Sequence, residues 1–300
     1  MKQEPESEKA TAADLVKLIR PHQWVKNFFV IAPLVFSKNL TNPVLVLTSL
    51  GAFVLFSLAS GFVYVYNDIM DMDADRLHPV KKNRPLASGR IGVRTGKIYA
   101  LILAGAALAG GWCLGWEFGL FLSGYLLLNL FYTVLFKKVP YLDVASIATG
   151  FLFRVLAGAA VVKVEPSVWL MVCTVLLAAY LGLGKRAFEI RLLGDKAPEH
   201  RKVLSGYNPK HLKAALILLG VTTLVAYFFY TMAPHTVRFF GTRDLVWTTP
   251  FPAIGLFRFG QLLQTGNSKD GPTEEMLKDP IFLINMAAWF LSVSAIIYFF

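Results

Sequence analysis

Residues 43–75 read PVLVLTSLGAFVLFSLASGFVYVYNDIMDMDAD, and the fold is decided by the contrast between the two halves of this stretch. From 43 to 66 there are 24 residues without a charge, enough for one helical crossing of a bilayer, which takes roughly 20. Directly after it, Asn67-Asp68-Ile69-Met70-Asp71-Met72-Asp73-Ala74-Asp75 places four acids at the helix end.

Working outward, eight more apolar segments lie near 27–38, 98–116, 118–136, 141–162, 167–184, 213–233, 249–264 and 280–300. Segment 27–38 is short for a crossing, and 249–264 carries Arg258. Charged residues make up only 16% of the chain, against ~25% in an ordinary soluble domain, and the mean hydropathy is +0.53. The expectation is an all-α polytopic membrane protein with about nine transmembrane helices surrounding a central cavity.

Charge supplies the orientation. With the N-terminus inside, 25 of the 30 Lys and Arg residues fall on inner segments, as cytoplasmic loops require. That predicts N-in and C-out. Residues 1–14 are expected to be a disordered tail, since Met1 to Thr11 is polar and lacks the apolar core of a signal peptide. Residues 15–300 are expected to form a single transmembrane catalytic domain with cytoplasmic loops at about 67–97 and 185–212. Loops this long are commonly functional, so the chemistry is expected at the cytoplasmic face. Asp14 to Asn27 reads as an amphipathic helix on the inner membrane surface. Cys113 and Cys173 sit inside apolar runs and read as small buried hydrophobes.

If the second helix continues, Asn67, Asp71 and Asp75 recur at i, i+4 and i+8, and Asp68 shares their broad face. Stacked carboxylates repel unless a cation neutralises them. Mg²⁺ takes one or two carboxylates plus water and substrate phosphates; an acidic helix end in the headgroup region is the plain alternative. Next come His78, Lys81 and Arg84, a basic cluster suited to phosphate oxygens or to ordinary positive-inside charge. The second loop offers Tyr180, Lys185, Arg186, Glu189, Arg201 and Tyr207, where Lys185 and Glu189 are spaced for a helix salt bridge. Asp143 and Arg154, eleven residues apart, share a face with Gly150 and Gly158. An Arg at membrane depth marks a site or a paired charge. Lys26 and Asn27 sit where they reach a phosphate.

These segments together resemble the UbiA-type intramembrane prenyltransferase superfamily, and within it the decaprenyl-phosphate phosphoribosyltransferase branch. The resemblance is carried by Asn67-Asp68-x-x-Asp71-x-x-x-Asp75, by residues 20–27 (RPHQWVKN), and by His78-Pro79-x-Lys81-x-x-Arg84-Pro85. Tyr141-Leu142-Asp143-Val144, Gly150-Phe151-x-x-Arg154 and Gly184-Lys185-Arg186-x-x-Glu189 complete it. Ordinary members carry a second Asp-rich motif on the later loop. Here that loop reads Lys185-Arg186-Ala187-Phe188-Glu189, with Asp195 and Glu199 farther on.

The resemblance implies transfer of 5-phosphoribosyl from phosphoribosyl diphosphate to a polyprenyl (decaprenyl) phosphate, releasing diphosphate, at a bacterial cytoplasmic membrane. The product would feed arabinose donors for cell-wall arabinogalactan. It further implies Mg²⁺ on Asp68, Asp71 and Asp75, with Glu189 as the fourth catalytic carboxylate. Lys26, Asn67, Lys81, Arg84, Arg154, Tyr180, Lys185, Arg186 and Arg201 would then bind substrate. A homo-oligomer is compatible with all of this. The rival reading within the fold is a prenyltransferase moving a polyprenyl chain from its diphosphate to an aromatic acceptor. A transporter would line a path across both leaflets, whereas these charges crowd one face. Nucleic-acid binding is excluded by positive charge divided among membrane loops without a recognition module.

Overall fold

The computed structural model describes residues 11–78, 80–194, 201–266 and 271–299. In chain order these form α1 (Ala12–Ile19), a 3₁₀ segment (Pro21–Val30), α2 (Ala32–Phe36), α3 (Pro43–Met70) and α4 (Met72–Leu77). Then come α5 (Val93–Leu114), α6 (Trp116–Val134), α7 (Leu142–Val162), α8 (Val168–Leu193) and α9 (Pro209–Met232). The chain continues through α10 (Pro234–Phe240), α11 (Pro250–Thr265), α12 (Pro272–Met276) and α13 (Pro280–Phe299). The starts follow local chemistry. Asn42 and Asn208 each cap two backbone N–H groups, and each is followed by a proline at the first helical position, where its missing N–H costs nothing.

Among the described residues seven helices are long and apolar enough to cross a membrane: α3, α5, α6, α7, α8, α9 and α13. Large apolar side chains such as Leu47, Leu101 and Ile284 are about 70% exposed on them, a surface matched to lipid rather than water. The chain is a multi-pass integral membrane protein. Two of the nine expected segments differ. Segment 27–38 is not one helix but the end of the 3₁₀ segment followed by α2. Segment 249–264 becomes α11, whose 16 residues span ~24 Å, short of a ~30 Å hydrocarbon core.

The chain divides into two compact units, residues 1–133 with 153–165, and 134–152 with 166–300. In the first, α3 packs along α5, and Phe56, Ala59, Ala107, Phe118 and Leu122 form the core. Leu18 of α1 is fully buried in a second cluster with Val65, Leu86, Ile91 and Leu103. The apolar face of α1 is therefore spent on protein, not on the membrane surface expected from the sequence. Ala12 to Asp14 are helical as well, so this helix starts before residue 15, and the expected tail of Met1 to Ala10 lies outside the described residues. In the second unit α8 packs along α9. Val144, Leu183, Val203, Leu204 and Leu212 form one cluster there, and Tyr180, Phe188, Phe259 and Met276 another.

Candidate active site

Each unit carries a buried ionic cluster among its described residues. In the first, α3 runs four residues past Tyr66, so Asn67 and Asp68 belong to its last turn. The helix breaks at Asp71, whose φ/ψ of −100°/5° ends α3 and starts α4. The i→i+4 ladder nevertheless crosses the break, because the Asp71 N–H donates to Asn67 O (2.9 Å) and the Asp75 N–H to Asp71 O (2.8 Å). The backbone through Asn67, Asp71 and Asp75 thus stays hydrogen-bonded in a bent helix.

Two of the acids are buried, Asp68 at 3% and Asp75 at 4% exposure. Arg84 bridges them, donating to Asp68 Oδ1 (3.0 Å) and Asp75 Oδ2 (2.6 Å). Arg84 precedes Pro85, which favours the extended backbone (φ −65°, ψ 146°) seen there. A second guanidinium, Arg20, reaches Asp68 Oδ1 at 2.5 Å from the far side of the sequence and lies over the Tyr64 ring. Arg20 is held at φ 48°, ψ 66°, a left-handed conformation that costs about 1–2 kcal/mol for such a residue. Asn67 Oδ1 accepts from the Thr133 hydroxyl. The His78 ring caps its own turn, Nδ1 accepting from the N–H groups of Val80 (3.1 Å) and Lys81 (3.2 Å). Lys81 is exposed beside it.

Among the described residues no three His, Cys, Asp or Glu side chains form one metal-binding group. Of the three expected acids, Asp68 and Asp75 are joined through Arg84, and Asp71 stands at the break between α3 and α4. One or two carboxylates, completed by water and substrate phosphates, are what Mg²⁺ ordinarily takes from a protein. The donor chemistry of this segment therefore fits the ion.

The second cluster is built around Arg186, the largest fully buried side chain among the described residues. Its Nε donates to Asp143 Oδ2 (2.8 Å), and its NH1 to Glu189 Oε2 (2.6 Å), one turn along α8. Asp143, fully buried, also accepts from the Tyr207 hydroxyl (2.5 Å) and pairs with Arg201 at 3.9 Å. The Tyr207 oxygen in turn accepts from the N–H of Tyr141 (2.8 Å). Burial, and then the hydrogen bond to Asp143, pushes the Tyr207 hydroxyl well above its usual range, so it stays a neutral donor.

The remaining expected residues fall elsewhere. Tyr180 turns its hydroxyl to Leu256 O (3.0 Å) and packs on Phe259, so it braces α8 on α11. Lys185 is exposed on α8. Lys26 donates to Gln23 Oε1 (2.5 Å). Arg154 is buried in the first unit, donating to Asn27 Oδ1 (2.8 Å) and Tyr125 OH (3.1 Å), and makes no pair with Asp143. Asp195, Glu199 and Pro79 lie outside the described residues. No site role was expected of Arg20 or Asp143, although both stand inside the motif stretches that carry the resemblance, and Tyr207 was one candidate among several of the second loop.

The model of the UbiA prenyltransferase family matches residues 28–272. This chain belongs to that family. It is 29% identical to decaprenyl-phosphate phosphoribosyltransferase of Mycolicibacterium smegmatis, over 97% of this chain and 94% of that protein. With the protein of the same name from Mycobacterium tuberculosis the identity is 30%, over 96% and 95%. Among solved structures, a UbiA homolog from Archaeoglobus fulgidus bound to GPP and Mg²⁺ superposes with a TM-score of 0.71 at 19% identity, covering 95% of this chain and 99% of that one. As a UbiA-family chain it is a membrane-embedded transferase.

Proposed function

We propose that this UbiA-family transferase moves 5-phosphoribosyl from phosphoribosyl diphosphate to a polyprenyl phosphate at the cytoplasmic face of a bacterial membrane. The carrying observation is the make-up of the second cluster. Where a prenyl-diphosphate enzyme would hold a second set of metal-binding acids, Glu189 of the Lys185–Glu189 stretch is engaged by the buried guanidinium of Arg186, which also holds Asp143 of α7. The names of the two full-length relatives support the same reading.

In this reaction a bond forms between a lipid phosphate oxygen and ribose C1, while the bond from C1 to the diphosphate oxygen breaks and its electron pair leaves with diphosphate. The attacking oxygen is already anionic, so no side chain needs to remove a proton. The protein works by positioning and by stabilising charge. Asp68, Asp71 and Asp75 would hold a Mg²⁺ that neutralises the leaving diphosphate. Asn67 orients that acidic turn, and Lys81 and Arg84 supply donors for phosphate oxygens. In the second unit Lys185 and Arg201 offer further cations. Arg186 holds the rotamer of Glu189, whose carboxylate would address ribose hydroxyls.

The test is a reaction of purified protein in detergent with Mg²⁺, polyprenyl phosphate and phosphoribosyl diphosphate, followed by mass spectrometry of the lipids. A phosphoribosylated lipid that vanishes with chelator is the expected result. A parallel reaction with polyprenyl diphosphate and an aromatic acid yielding the sole product would overturn the donor assignment and keep the fold.

A further inference from the structure

Arg154 was singled out by the sequence as a charge at membrane depth, and the reaction above gives it no task. Its surroundings do. Three elements of the first unit, the 3₁₀ segment, α3 and α7, meet at the Asn27 side chain. Asn27 Oδ1 accepts from Arg154 Nε (2.8 Å) and from the Ser60 hydroxyl (3.3 Å), and Asn27 Nδ2 donates to Ser57 Oγ (3.1 Å). Tyr125 closes the ring, its oxygen 3.1 Å from Arg154 and 3.2 Å from Ser60, with the guanidinium over its face. All five residues are at most 6% exposed. One turn along α7 from Arg154 stands Gly158. A Cβ there would lie 2.0 Å from Val30 O and 2.8 Å from Val30 C. This is backbone, which cannot yield as a flexible side chain does, so only glycine admits the approach.

Asn27 and Val30 are the far end of the 3₁₀ segment Pro21–Val30. Its near end is Arg20, left-handed and paired with Asp68, with Trp24 Nε1 capping Ile19 O at 3.1 Å. The seven steps from Arg20 to Asn27 are continuous hydrogen-bonded turn, a strut of ~14 Å. Movement at one end must therefore appear at the other.

We propose that Arg154 and Gly158 form a dock for this strut, and that Arg154 is a positioning residue which sets Arg20 on Asp68 rather than a ligand of substrate. The dock itself stands apart from the transferase reading; only its effect on turnover rests on that reading.

Hydrogen exchange of the full chain in detergent, without substrate, reads the dock directly. Gly158→Ala and Asn27→Ala are each expected to raise exchange across residues 22–30 by about tenfold or more while leaving α5 unchanged. Asn27→Ala inserts no atom and so serves if Gly158→Ala fails to fold. Unchanged exchange in the strut would overturn the dock whatever the reaction. A double-mutant cycle reads the route. Arg154→Met is expected to raise the KM for phosphoribosyl diphosphate by roughly tenfold in the parent and by less than about twofold in an Arg20→Ala background, with Arg154→Lys recovering part of the loss. Effects that multiply in full would mean that Arg154 acts independently of Arg20, and the positioning role would fall. A chain without phosphoribosyl transfer but with a loosened strut would sink the transferase reading and leave the dock intact.

Discussion

In the first unit's ionic cluster the deepest charges are carboxylates with guanidiniums at their rim, and in the second a carboxylate and a guanidinium are buried together. Asp68 and Asp75 have side chains 3% and 5% exposed, whereas Arg20 and Arg84 keep 23% and 29%. Around Arg186 the centre is cation and carboxylate together, at 2% and 0%, and the rim is Glu189 and Arg201 at 23% and 30%. A rim group lost from the first cluster can be replaced by water or by a bound anion. A central group lost from the second leaves a charge that water cannot reach. The first arrangement suits ligand exchange, and the second suits holding a geometry.

The largest test of that contrast is in stability. Asp143→Ala takes the buried partner from Arg186 Nε and removes the acceptor of Tyr207, so it is expected to cost about 3–5 kcal/mol, the usual result of breaking a buried pair. Replacing Asp143 and Arg186 together by Leu and Met should recover much of it. Arg84→Met leaves Asp68 with Arg20 and exposes Asp75 to water, and should cost about 1 kcal/mol or less. Unfolding midpoints in detergent decide this; equal losses at Asp143 and Arg84 would erase the distinction.

For turnover the ranking should invert. Asp71 is half-buried at the break between α3 and α4, so Asp71→Asn is expected to hold stability within about 0.5 kcal/mol. Its transferase rate should fall by about 10²–10³-fold, the range for removing one electrostatic contact to developing charge. Rates measured across a Mg²⁺ titration check it, and undiminished turnover would remove Asp71 from the metal assignment.

The seven clear spans were legible because a lipid-facing helix must be apolar along its whole length, and the acidic turn because its residues are neighbours in the chain. What could not be read was anything decided by depth or by distant partners. Asp143 and Arg154 do share a helical face, yet eleven residues put them ~16 Å apart along the axis, too far to pair. Arg20 reaches Asp68 across 48 positions, and no local pattern announces that. The amphipathic stripe of α1 was visible, but a stripe alone does not say whether lipid or protein will cover it; Leu86, Ile91 and Leu103 cover it here. Segment 27–38 was apolar enough to invite a crossing, and Asn27, tied to α3 and α7, fixes its start in a 3₁₀ turn instead.

The smallest expected effect compares one peripheral carboxylate from each unit. Asp14 sits in a capping box, and its pKa is lowered chiefly by the Thr11 hydroxyl hydrogen bond, with Arg90 adding less. Asp279 is lowered chiefly by hydrogen bonds from Arg258, which grips both of its oxygens. A carboxylate whose folded pKa is depressed contributes stability that is present above its unfolded value near ~3.9 and is lost as pH falls through the folded value. Asp14→Asn and Asp279→Asn should therefore each lower the unfolding midpoint at pH 6 and converge on the parent as pH falls through the lowered folded value. Salt should separate them. The Asp279 contribution is a pair of opposite charges and should shrink as ionic strength rises, whereas the hydroxyl bond at Asp14 is not screened in that way. Midpoints of both variants at low and high salt measure the difference, and equal salt sensitivity would show that Arg90, not Thr11, holds Asp14.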